Sequence, residues 1–185
     1  MAVGFDLDMT LVDSRAVSRR ALERLTTERG HALDIDALMA QYGLPPARWL
    51  PRGTDLALFR RLQLQELSLT APMPGARAAL ATVQRSGQRA VVVSAASENV
   101  AAQMLSAAGL AADGLHANVW AEDKAAPLRE EGCWAFVGDH PDDMAAAHRA
   151  GAVAVGVTTG TVFPAGAHVV LSGLHGLPAW LAVAS

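Results

Sequence analysis

Short apolar runs rich in β-branched residues recur along the chain at Val3–Phe5, Ala90–Val93, Leu115–Trp120, Trp134–Val137, Val153–Val157 and Val169–Leu171. Between most of them lie stretches whose apolar residues fall three and four positions apart, at Gly75–Ser86, Glu98–Ala108, Ala125–Glu131, Asp142–Ala150 and Leu177–Ala184. Continuous apolar runs suit strands buried on both faces, and the longer spacing suits one face of a helix. Their alternation predicts an α/β fold, a doubly wound, Rossmann-like parallel sheet with helices on both sides. Gly87, Gly109 and Gly151 each follow a helical stretch, where a C-terminal cap needs a residue that tolerates positive φ.

One segment breaks the alternation. From Arg15 to about Ala71 there is no strand-like run, and the spacing predicts helices at Arg15–Arg29, Asp34–Tyr42 and Thr54–Leu67. Pro45, Pro46 and Pro51 interrupt its middle, and Pro72, Pro74 and Gly75 punctuate the return to the sheet. The chain is therefore expected to form a core from residues 1–14 and 73–185, with a small all-helical cap at 15–72 inserted after the first strand.

Composition narrows the classes of function. With 185 residues, 51% of them hydrophobic and 18% charged, one core domain plus a modest insertion can bury a sizeable interior. A formal net charge of -3 and arginines spread along the chain leave no basic stripe, which argues against nucleic acid and anionic membranes as partners. No apolar window approaches a membrane span, and the first strand begins without a basic, apolar leader, so a cytoplasmic protein is expected. The single cysteine, Cys133, beside Trp134, reads as core filler.

Ligands of doubly wound sheets bind at the carboxyl ends of the strands. Polar residues at those ends are Asp6, Asp8 and Thr10 after the first run, Ser94 after the second, Asp123–Lys124 after the third, and the series Gly138-Asp139-His140-Pro141-Asp142-Asp143 after the fourth. The i, i+2 spacing of Asp6 and Asp8 in extended chain aims both carboxylates one way, which is costly without a cation or a shared proton. Carboxylates, a hydroxyl and an ammonium suit a phosphate ester and Mg²⁺, which prefers one or two carboxylates with phosphate and water. In that setting Asp6 can attack phosphorus, Asp8 can move the proton of the leaving oxygen, and Ser94 with nearby backbone N–H groups can hold phosphate oxygens. Local explanations compete: Ser94 or Ser97 as a helix N-cap, Asp142 as a cap of the helix that follows it, and His140 as a plain loop residue. Lys124 stands apart, being the only lysine in a chain otherwise supplied with arginine. A compact ammonium can contact a carboxylate and a phosphate together, where a planar guanidinium has another shape.

Taken in order, Phe5–Ser14, Val91–Ser94, Lys124 and Gly138–Asp143 resemble the four motifs of the haloacid dehalogenase-like hydrolase superfamily. The helical insertion and the return at Pro72–Leu80 are similar to its phosphoglycolate phosphatase-like branch. The resemblance implies a Mg²⁺-dependent phosphatase of a small phosphorylated metabolite, working through an aspartyl-phosphate. It makes Asp6 the nucleophile and Asp8 the general acid/base, with Ser94 and Lys124 binding phosphate and intermediate. Mg²⁺ would be held by the Asp6 carboxylate, the Asp8 backbone carbonyl and Asp139, with Asp143 in support. Three positions depart from the pattern: Met9 where glycine is usual, Ala95 where a polar residue is common and Ala125 where proline is frequent. Arg48, Trp49 and Arg52, beside the proline break, are the candidate substrate contacts of the cap, with ordinary surface residues as the competing reading. A phosphosugar mutase on the same scaffold is the alternative enzyme, although the cap contains no lysine for a histidine–lysine pair. A phospho-acceptor signalling domain or a catalytically weak phosphate-binding protein completes the alternatives.

Overall fold

The computed structural model describes residues 1–29, 32–42, 48 and 50–184. At its centre lies β1 (Ala2–Phe5), buried along its whole length. It pairs in parallel with β4 (Arg89–Val93) on one side and β6 (Cys133–Gly138) on the other. Outward from β4 lies β5 (Gly114–His116), and outward from β6 lie β7 (Val153–Val157) and β8 (Val169–Leu171), all parallel. The strand order β5-β4-β1-β6-β7-β8 means that the chain winds one way from β1 and then back past it. The crevice where direction reverses opens at the carboxyl ends of β1 and β6, the place where such sheets bind ligands.

Why the strands read as unbroken apolar runs is visible in where alternate side chains go. Val3, Phe5, Ala90, Val92, Ala135, Val137, Val155 and Val157 point into one buried cluster. That cluster includes residues of α4 (Ala76–Arg85), α5 (Glu98–Ala107) and α8 (Leu177–Ala184). Ala2, Val91, Val93, Phe136 and Ala154 enter a second cluster with Leu128 of α6 (Ala125–Glu130) and Met144, Ala146 and Ala147 of α7 (Pro141–Ala150). Both faces are dry, so neither alternation position tolerates a polar residue. Gly87, Gly109 and Gly151 all have positive φ, as the C-terminal cap geometry requires.

Between β1 and α4 the chain forms the helical insertion. It leaves and returns through a two-residue antiparallel pair, β2 (Val12–Asp13) with β3 (Ala71–Pro72). Inside it lie α1 (Arg15–Arg29), α2 (Ile35–Met39) and α3 (Leu56–Gln65), followed by a 3₁₀ turn at Leu67–Leu69. Two of these helices start on aspartate caps: Asp34 accepts from Ala37 N–H, and Asp55 accepts from Ala57 and Leu58 N–H. Val17, Ala21, Leu22 and Leu25 of α1 are buried, as are Phe59 and Leu62 of α3, and the two helices pack against each other. The proline break at Pro45–Pro46 and Trp49 lie outside the described residues.

One strand is shorter than its sequence suggests. The run Leu115–Trp120 is strand only to His116, because Asn118 N–H then donates to Ala96 O and Val119 N–H to Ser94 O. With Asn118 at φ 57, the chain folds back over the end of β4 instead of extending the sheet. A 3₁₀ turn at Ala121–Lys124 follows and carries Lys124 inward. Among the described residues no helix is long and apolar enough to cross a membrane.

Candidate active site

Asp6 continues β1 by one residue, its N–H donating to Val137 O of β6 at 2.8 Å. The chain then turns tightly: Thr10, Leu11 and Val12 N–H all donate to Leu7 O. Met9 sits within this turn at φ 62, with a buried side chain. The hydroxyl of Thr159, after β7, donates to Met9 O and ties the turn to the neighbouring loop. Positive φ at this position explains why a glycine is the unstrained choice there.

Three carboxylates converge at the strand ends. One oxygen each of Asp6, Asp139 and Asp143 lies within 4.8 Å of the others, and all three residues are buried. Lys124 Nζ donates to Asp6 Oδ1 at 2.6 Å and to Asp143 Oδ1 at 2.7 Å, and lies 5.6 Å from the centre of the Phe136 ring. Thr10 Oγ1 donates to Asp139 Oδ1 at 3.0 Å. Two glycines make room: a Cβ on Gly138 would strike the Asp143 side chain, and one on Gly160 would strike Asp139.

The electrostatics follow from crowding. Burial pushes the Asp6 carboxyl well above its ordinary range, with Asp143 and Asp139 adding to that and Lys124 opposing it. Asp139 is pushed up to about 7, first by burial and then by the charge of Asp143, against the Thr10 hydrogen bond and Lys124. Burial alone would lower Lys124, but the charges of Asp143 and Asp6 outweigh it and hold the ammonium charged. With all three carboxylates ionised, the one ammonium would leave two negative charges uncompensated in a buried site. That donor set, oxygen only and doubly negative, fits a hard divalent cation.

Asp8 is not part of this group. The Asp8 carboxylate is held instead by Ser14 Oγ and by Tyr42 OH at 3.3 Å. Burial raises its carboxyl above the ordinary value, against those two hydrogen bonds and the charge of Lys124. Asp6 and Asp8 nevertheless line one cavity, together with Lys124, Asp139, His140 and Asp143.

The other expected residues fall as follows. Ser94 is buried at the end of β4, where its Oγ accepts from Ala96 N–H at 3.1 Å, and among the described residues nothing accepts its hydroxyl hydrogen. Ser94 does not itself line the cavity, whereas Ala95, Ala96 and Ser97 do. Ser97 holds the N-cap position of α5 without a side-chain cap bond. His140, read from sequence as a loop residue, caps α7 by accepting from Asp142 N–H, while Asp143 Oδ2 accepts from His140 N–H. The helix cap is therefore His140, not Asp142. Arg48 and Arg52 are exposed and do not line the cavity, and Trp49 lies outside the described residues.

The insertion contributes instead Tyr42, Ser18, Arg60 and Gln63, opposite an apolar wall that includes Val100, Met104 and Trp120. These were missed because helical periodicity distinguishes buried from exposed positions but does not say which buried edge meets a neighbouring domain face. The one available signal was polarity within an apolar stripe, at Ser18 and Gln63.

Comparison with known proteins places this geometry in context. Residues 3–148 match the family model described as haloacid dehalogenase-like hydrolase. No curated protein matches the sequence. Among solved structures, the chain is similar to a haloacid dehalogenase-like family protein from Streptococcus pneumoniae, with TM-score 0.82, 17% identity and 97% of each chain covered. It is similar to a predicted phosphoglycolate phosphatase from Haemophilus somnus, with TM-score 0.79, 18% identity and 97% of each chain covered. CbbY from Rhodobacter sphaeroides, solved in complex with phosphate, gives TM-score 0.76 at 20% identity over 95% of each chain.

Proposed function

Because the chain belongs to the haloacid dehalogenase-like hydrolase family, we propose that it is a Mg²⁺-dependent phosphomonoester hydrolase of a small phosphorylated metabolite, working through an aspartyl-phosphate on Asp6. The observation that carries this reading is the convergence of the Asp6, Asp139 and Asp143 carboxylates at the carboxyl ends of β1 and β6, with the buried ammonium of Lys124 bonded to Asp6 and Asp143. In this reading Asp6, Asp139 and the Asp8 backbone carbonyl hold Mg²⁺, with Asp143 in support. The ion, when bound, neutralises phosphate charge and keeps Asp6 ionised.

Asp6 then forms the new oxygen–phosphorus bond while the bond from phosphorus to the ester oxygen breaks. Asp8 gives its proton to the departing oxygen, and the burial that raises its proton affinity suits that task. In the second half, Asp8 takes a proton from water, which attacks the aspartyl-phosphate, releases inorganic phosphate and restores Asp6. Lys124 holds Asp6 in place and balances charge on the intermediate. The unused hydroxyl hydrogen of Ser94 is a donor for a phosphate oxygen.

Residues 1–14 and 73–185 act as the catalytic core in this reading, and 15–72 as the cap. Support comes from the β2–β3 junction and from the cap side chains that line the cavity. Arg60, half-buried on α3, lines that cavity and has no ion-pair partner among the described residues. An uncommitted guanidinium there favours a phosphate ester carrying a second acidic group.

Hydrolysis of p-nitrophenyl phosphate in Mg²⁺ and after chelation tests the reading. Activity is expected with metal and not without it. Asp6→Asn is expected to reduce turnover at least about a thousandfold, within the range that nucleophile removal reaches. The fold should survive, because the substitution removes one of the crowded charges, and thermal denaturation checks that. Native-like turnover in the variant, or metal-independent activity, would sink the assignment.

A further inference from the structure

Behind Asp8 runs an unbroken file of hydrogen bonds that joins the helical insertion to the core. Gln63 Nε2 on α3 donates to Ser18 Oγ on α1 at 3.1 Å, and Ser18 Oγ donates to Tyr42 OH at 3.2 Å. Tyr42 OH lies 2.6 Å from Ser14 Oγ, and Ser14 Oγ donates to Asp8 Oδ1. Gln63, Ser18, Tyr42 and Ser14 are all buried. The backbone of Tyr42 is anchored as well, since Thr161 Oγ1 from the loop after β7 donates to its carbonyl at 2.8 Å.

The direction of the file is set by its two ends. An amide N–H only donates, and an ionised carboxylate oxygen only accepts. Each hydroxyl has one hydrogen to give. Ser18 gives its hydrogen to Tyr42 and Ser14 gives its own to Asp8, so Tyr42 points its hydrogen at Ser14, with Asp8 Oδ1 next nearest at 3.3 Å. Bonds aligned head to tail polarise one another, which stiffens the terminal contact. Only Oδ1 of Asp8 is taken. Oδ2 accepts no hydrogen bond from the described residues, and Asp8 lines the cavity.

Building on the phosphatase reading above, we propose that Tyr42 is a positioning residue for Asp8: through Ser14 it clamps Oδ1, leaves Oδ2 as the oxygen that carries the transferred proton, and ties that aim to the seating of the insertion. Asp8 delivers its proton from the right place only while α1 and α3 are packed against each other and Gln63 reaches Ser18.

The test compares two esters that differ little in shape and much in their need for a proton. Phenyl phosphate releases a phenol of pKa about 10 and depends on the acid, whereas p-nitrophenyl phosphate releases a stable anion. The value of kcat/KM reports bond cleavage to the ester oxygen, the step that uses the proton. Tyr42→Phe keeps the ring and removes the hydroxyl. It is expected to lower kcat/KM for phenyl phosphate about tenfold more than for p-nitrophenyl phosphate, a fraction of the full benefit of a positioned acid. Asp8→Asn should shift the ratio in the same direction and further. Equal losses on both esters would overturn the inference, leaving the file as packing alone. Should Tyr42→Phe not fold, Ser18→Ala interrupts the file one bond earlier and carries the same comparison. Native protein that hydrolyses neither ester overturns the phosphatase reading and this inference with it, a result distinct from equal losses.

Discussion

Met9 concentrates two opposing energies in one residue. Its φ of 62 is a left-handed conformation that costs an L side chain about 1–2 kcal/mol. Its side chain is buried in the cluster that contains Phe5, Leu7 and Leu11, and the loss of such a side chain costs about 2–5 kcal/mol. The departure from glycine was visible in the sequence, but nothing there gave a reason for it. Only the packing shows that the methionine fills core space. Met9→Ala loses the packing and keeps the strain, whereas Met9→Gly loses the packing and relieves it. Chemical denaturation should therefore rank wild type first, Met9→Gly second and Met9→Ala last. That reverses the usual advantage of alanine over glycine, and the ordinary order would show that the turn relaxes its φ.

At the scale of elements, α3 divides its residues among three environments. Phe59 and Leu62 face the interior of the insertion, Gln63 begins the file to Asp8, and Arg60 lines the cavity. Apolar spacing predicted the helix and its buried stripe, because both depend on period alone. What lies against each edge depends on how α3 is rotated onto α1 and α5, which no local pattern encodes. The neighbouring arginines show the contrast: Arg19 pairs with Asp36, Arg24 with Glu66 and Glu28, and Arg61 with Glu28. If Arg60 receives a second acidic group, Arg60→Ala should raise KM for 2-phosphoglycolate by about tenfold to a hundredfold, the worth of a charge-assisted hydrogen bond. Turnover at saturation should change little, and p-nitrophenyl phosphate should be nearly indifferent. Equal effects on both esters would assign Arg60 to general charge balance instead.

For the molecule as a whole, the crowded site sets a pH dependence of stability. Burial raises Asp6 and Asp8, and it raises Asp139 to about 7. The folded protein therefore binds protons that the unfolded chain, with ordinary carboxylates near about 4, has already released. The metal-free protein should lose stability as pH rises from about 4 through 7, where Asp139 titrates. Mg²⁺ held by the ionised carboxylates, as proposed, would stabilise the folded state by mass action. Its stabilising shift in Tm should thus be small at pH 5 and large at pH 8. Melting curves in chelator and in Mg²⁺ across that range check this, and a shift that is largest at pH 5 would refute it. Asp139→Asn should flatten the metal-free slope by removing the group that titrates near neutrality.

The sequence alone determined the parallel sheet, the place of the insertion and the strand ends that carry polar residues. Each of these is a local property: a strand buried on both faces must be apolar throughout, and the residue that follows it must emerge at its carboxyl edge. Lys124 was legible for the same reason, as a lone ammonium at a strand-to-helix junction. Tertiary structure decided what meets what. It drew Asp143 to Lys124 and gave the Asp8 carboxylate Ser14 and Tyr42 as partners. It ended β5 at His116 so that Lys124 could turn inward, and made His140 a cap. It also left Arg48 and Arg52 at the surface and brought Tyr42, Arg60 and Gln63 into one cavity with Asp6, Asp8, Asp139 and Asp143. Apart from the local His140 cap, those pairings join residues far apart in the sequence, and their geometry comes from the packing of helices and loops, which a one-dimensional pattern does not contain.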